Sequence, residues 1–98
     1  MADAAYDPRP IDTAGVSLSP ALERLVERLA ENTHDLWAQQ RLADGWRLGP
    51  RRDDANKEHP SLVAYATLPD DERVYDRIVV DGALRALLAL GYDIVKRS

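Results

Sequence analysis

His34, Trp37, Ala38 and Arg41 are separated by three and four residues, so a helix carries them on one side. An indole and a guanidinium one turn apart suit a two-part ligand. The indole can stack on a base, because every base has a π-face. The guanidinium can make forked hydrogen bonds to a phosphate. Trp46, Arg47, Arg51 and Arg52 follow closely and can complete such a site. The same spacing also fits a plainer arrangement, in which Trp37 and Trp46 anchor a core and Arg41 caps or pairs.

Other chemistry has less support. The chain has no glycine-rich phosphate loop, no His-Glu-x-x-His and no cysteine nucleophile, so no catalytic residue is expected. His34 and His59 are not at metal-ligand spacing. Asp53 and Asp54 adjoin Arg51 and Arg52, which are their expected partners in place of a metal ion. We therefore expect neither an enzyme nor a metal or cofactor site.

Composition sets further bounds. Ninety-eight residues make one domain with a modest core. The net charge of −4 argues against nucleic acid as a partner, since that binding is driven by positive charge. Residues 41–59 hold five cations against four anions, which leaves the acidity in the rest of the chain. No apolar run approaches the length of a membrane span. Met1–Ala5 lacks the basic start and apolar stretch of a secretory signal, and there is no cysteine to oxidise. A cytoplasmic protein is expected.

Two helices must position these residues. Ser19-Pro20 is a start signal, with a capping hydroxyl followed by a residue suited to the first helical position. Leu22, Leu25, Val26, Leu29, Thr33, Leu36 and Gln40 then recur at helical spacing, and Gly45 is a stop. This predicts a helix over 20–43. The acidic first turn Asp70-Asp71-Glu72 complements a helix dipole and opens a second helix over 70–90, with Gly82 as a point of weakness. The two should pack antiparallel through Leu25, Leu29, Leu36, Leu84 and Leu88. Residues 1–18 read as an extended arm pinned by Tyr6, Ile11, Val16 and Leu18, ahead of a domain over 19–98. Ser61–Ala66 and Tyr92–Val95 read as short strands, and Trp46–Tyr65 as an irregular connection. The fold class is mainly α (α+β), with helix exceeding strand at least twofold.

Longer motifs resemble a known family. The series Ala30-Glu31-Asn32-x-His34-Asp35-x-Trp37-Ala38-x-x-Arg41 is followed by Gly45-Trp46-x-x-Gly49-Pro50-x-Arg52-Asp53-Asp54-x-x-Lys57-x-His59-Pro60-x-Leu62-Val63-x-Tyr65. Together with Leu68-Pro69, Glu72, Tyr75-Asp76-Arg77 and Leu87-Leu88-Ala89-Leu90-Gly91-Tyr92, it resembles the ryanodine-receptor repeat from about Tyr6 to Ile94. Leu48 stands where many members carry tyrosine, and Ala64 where proline is frequent. The resemblance implies two antiparallel helices with short strands. It also implies a peripheral module without channel activity, and adenine-nucleotide binding through Trp37, Arg41 and Arg52. With His34 and Trp46, these are the candidate ligand residues. An adenine nucleotide or ADP-ribose is the expected ligand type; a structural or protein-interaction module without a small ligand is the alternative. The receptor modules use two repeats, so a single repeat is expected to form a homodimer, with Trp37 of both copies facing one cleft.

Overall fold

The computed structural model describes residues 5–98. The first four residues of the expected arm lie outside the described part. Helix α1 spans Pro20–Ala43 and helix α2 spans Asp70–Ala89. Between them lie two two-residue strands, β1 (Arg47–Leu48) and β2 (Glu58–His59), and a 3-10 turn over Tyr65–Thr67. The protein is mainly helical with a little strand.

The helix ends follow from local chemistry. The Leu22 N–H donates to Ser19 Oγ at 3.2 Å, and Pro20 takes the first turn without wasting a donor. At the other end Gly45 adopts φ 90°, a left-handed conformation that glycine enters without steric penalty. Its N–H donates to Leu42 O at 3.1 Å, and the Trp46 N–H donates to Arg41 O at 2.9 Å. These two bonds form a Schellman closure, and they turn Trp46 back over the end of α1. Gly91 closes α2 in the same way, so α2 runs unbroken through Gly82.

The helices are antiparallel. Val16, just ahead of α1, receives a hydrogen bond from Arg85 late in α2, whereas Glu27 binds Arg77 further back. Arg77 donates from Nε and Nη2 to the two Glu27 oxygens at 2.6 and 3.2 Å, and from Nη1 to Asp70. That guanidinium holds the Glu27 carboxyl below its ordinary range.

The core lies where α1 meets the 3-10 turn. Ala30 is completely buried and packs with Tyr65 and Leu68, with Val63 against them. A methyl side chain at position 30 lets the turn approach the helix backbone closely. Leu18 and Val80 are the other buried apolar side chains among the described residues.

Four expectations are corrected. Leu36 is 58 % exposed and Leu25 is also exposed, so neither carries the helix contact. The buried side of α1 is instead Ala30 and His34, with Trp37 and Arg41 half-buried beyond them. Leu29, Leu84 and Leu88 of the expected contact are half-buried, while Leu25 and Leu36 stand outside it. The arm is pinned by Val16 and Leu18; Tyr6 and Ile11 are exposed because nothing covers them. Ser61–Ala66 forms turns leading into the 3-10 turn, with the Leu68 N–H donating to Tyr65 O, and not a strand. Tyr92–Val95 has no strand partner, and Ile94 and Val95 share a shallow hollow with Leu22 and Leu25.

The connection contains a pairing that periodicity does not reveal. β1 and β2 are parallel, with Arg47 opposite Glu58 and Leu48 opposite His59. A parallel pair ordinarily needs a long crossover. Here the chain reverses tightly between Asp53 and Glu58, which exchange backbone hydrogen bonds of 2.9 Å. The Asp53 carboxylate accepts from the Asn56 backbone and side chain, and Lys57 takes a positive φ. Gly49 is required beside this turn, because a Cβ there would lie 2.6 Å from Glu58 Cβ. Among the described residues no helix is long and apolar enough to cross a membrane.

Candidate functional site

The Schellman closure and the β1–β2 pair gather one aromatic and cationic cluster. α1 supplies His34, Trp37 and Arg41, the turn after α1 supplies Trp46, and β2 supplies His59. The Arg41 guanidinium carbon lies 5.7 Å from the Trp37 ring centre and 4.6 Å from that of Trp46. Both contacts are within cation–π range. His59 meets Trp37 edge-on at 5.0 Å and lies 6.4 Å from Trp46. Trp37, Arg41, Trp46 and His59 are all half-buried, so part of each remains accessible to a ligand.

The expected ligand residues are not equivalent. Trp37, Arg41 and Trp46 are brought together. Arg52 is exposed and already forks onto Asp54, with Nε donating to Oδ1 at 2.8 Å. Its charge still reaches the cluster, since after burial it is the next influence that lowers the His59 pKa. To meet a phosphate it must leave or share Asp54. His34 is buried, and Nε2 lies 2.7 Å from Val63 O. A carbonyl only accepts, so Nε2 carries a proton and donates. His34 therefore stands behind Trp37, at 5.6 Å, and ties α1 to the segment leading to Tyr65. It positions the site and presents no open face to a ligand.

His59 is the member that spacing along the chain does not single out. Only its place opposite Leu48 in the strand pair brings it to the tryptophans. The Ser61 N–H donates to its Nδ1 at 3.0 Å, so in the neutral ring the proton sits on Nε2. Burial is the largest influence on its pKa and lowers it from 6.5; Arg52 and Arg41 lower it further, against Glu72 and Asp54.

A pH dependence follows. The unfolded histidine keeps a pKa near ~6.5, while the folded one is lower. Between the two values the unfolded chain binds more protons. The contribution of His59 to stability is thus complete above the unfolded pKa and is lost as pH falls through the folded pKa. NMR titration of the His59 ring should give a midpoint below 6.5. Below about pH 6.5 the melting temperature should fall less steeply in His59→Gln than in the wild type. A midpoint above 6.5 would contradict the burial and the cationic surroundings described here.

Among the described residues no three His, Asp or Glu side chains converge as a metal site. A family model described as the RyR domain matches residues 6–96, which is nearly the whole chain.

Proposed function

Since this chain belongs to the RyR domain family, we propose that it is a binding module, not an enzyme, and that it takes an anionic nucleotide-like ligand of the adenine-nucleotide or ADP-ribose type. The observation that carries this reading is Arg41 between two half-exposed indoles. A base stacks on Trp37, with Trp46 as the second aromatic wall. Phosphate meets Arg41, and Arg52 swings from Asp54 to join it. Both arginines offer planar forks that match phosphate oxygens. Nucleic acid is not the proposed partner, because the chain is acidic outside this patch. A reducing, cytoplasmic setting suits a chain without cysteine.

Isothermal titration with ATP, ADP and ADP-ribose tests the reading. Trp37→Ala should weaken binding by ~1–3 kcal/mol, the usual worth of one base–aromatic stack. Affinity should also fall as salt screens the arginines. If none of the three ligands binds at millimolar concentration, the site is structural and the protein-interaction reading takes over. That second reading is favoured by the exposed apolar side of α2.

The ligand site as proposed is complete within one chain. The indoles are already engaged by Arg41 and His59, so a dimer built around paired tryptophans is not needed to form it. The homodimer remains part of the proposal, with a different surface carrying it.

A further inference from the structure

We propose that the outer face of α2 is a self-association surface that docks on the same face of a second copy. This inference is independent of the ligand reading. Tyr75, Ile78, Val79, Gly82, Ala83, Ala86 and Ala89 recur along the side of α2 turned away from α1, at spacings that put them on one face. Tyr75, Ile78 and Val79 are 72 %, 61 % and 62 % exposed. No charged residue interrupts this face between Tyr75 and Ala89; Asp71, one turn ahead of Tyr75, is the charge at its N-terminal end. Other charges of α2 lie on the inner side and flank, where Arg77 binds Glu27 and Asp70, and Arg85 binds Asp81 and Val16 O. A helix on the surface of a monomer shows the opposite polarity, with charges outward and its apolar stripe inward.

Gly82 is a second, independent sign. It lies inside a continuous helix, where glycine is less stable than alanine by ~0.5–1 kcal/mol. Its φ is not in the left-handed region, and nothing in the chain lies within 4 Å of where a Cβ would stand. Neither backbone conformation nor internal packing calls for glycine here. A neighbouring backbone crossing at this point does. With a two-fold axis at Gly82 and antiparallel helices, Ile78 falls opposite the partner's Ala86 and Tyr75 opposite the partner's Ala89. Large side chains then meet small ones, and the uncharged face meets itself without repulsion, as an isologous contact requires.

The surface area agrees. The chain exposes 7837 Å², against ~5,600 Å² for a compact monomer of its mass. Its radius of gyration is 17.0 Å, against ~13 Å for a compact domain. The extended arm accounts for part of the excess. A stable interface needs only about 800 Å² from each partner.

Sedimentation equilibrium of the full chain at high micromolar concentration should give twice the monomer mass of 11.0 kDa. Ile78→Glu and Gly82→Arg should return it to the monomer mass with the helical circular dichroism kept. Leu36→Glu, on the outer side of α1, should leave the dimer intact. Because the chain has no cysteine, disulfide trapping provides a test in which the surface is not made charged. On mild oxidation Gly82→Cys should cross-link to a covalent dimer, and Leu36→Cys should not. A monomeric wild type overturns the proposal. So does a dimer that survives both α2 substitutions, or cross-linking through position 36 but not 82.

Discussion

Leu68→Ala is expected to lower the free energy of unfolding by about 2–5 kcal/mol, the range for truncating a buried leucine. Leu68 is 6 % exposed and packs with Ala30 and Tyr65 in the small core. Its N–H closes the 3-10 turn on Tyr65 O at 3.1 Å, so it also orients the chain entering α2. A domain of this size has a total stability of ~5–15 kcal/mol. Each kcal/mol lost shifts the melting temperature by ~4–8 °C. A drop of at least ~8 °C is therefore expected in a thermal melt. Leu36→Ala should change stability by less than ~0.5 kcal/mol, because Leu36 is mostly in solvent. Equal effects at positions 36 and 68 would mean that the core is not where the 3-10 turn meets α1.

The contrast between those two leucines marks what can be read from the residue order. Both helices were legible, since their signals are local. Ser19-Pro20 and Gly45 bound α1 at 20 and 43, and the acidic turn opens α2 at 70. Which residues of α1 are most deeply buried was only partly legible. Leu22, Val26 and Leu29 of the expected stripe are half-buried, but Leu25 and Leu36 are exposed and burial is deepest at Ala30 and His34. Burial there depends on how closely Tyr65 can approach, and that is a tertiary fact. The β1–β2 pair was equally hidden. Two-residue strands show no alternation, and this pair depends on a reversal between Asp53 and Glu58 and on the space left by Gly49.

The site was legible where it is helical. Trp37 and Arg41 lie one turn apart, and any helix over 20–43 puts them together. Trp46 joins them through the Gly45 closure, itself a local signal. His59 needs the strand pair, so chain spacing could not nominate it. His34 shares the helical side of Trp37, but spacing could not show that the Val63 carbonyl occupies its ring nitrogen. Arg52 has the right chemistry for phosphate, and the same planar fork makes Asp54 its partner.

Arg41 is where the ligand reading and the packing of the cluster can be separated. Arg41→Met keeps much of the side-chain length and apolar stem, and removes the charge and the fork. If Arg41 holds phosphate, losing that charged hydrogen bond should weaken nucleotide binding by ~1.5–3 kcal/mol, about 10- to 150-fold in Kd. It should also lower stability by ~0.5–2 kcal/mol, because two indoles lose their cation. Tryptophan fluorescence should shift in the free protein, since the guanidinium is 4.6 Å from Trp46 and 5.7 Å from Trp37. Arg41→Lys keeps a positive charge but cannot make a planar bidentate contact or stack. It should recover part of the affinity and little of the native fluorescence. A role in packing alone predicts something different. The melting temperature and fluorescence would then change in Arg41→Met while the Kd for ATP stayed within twofold of the wild type, and the phosphate contact would have to be sought away from α1.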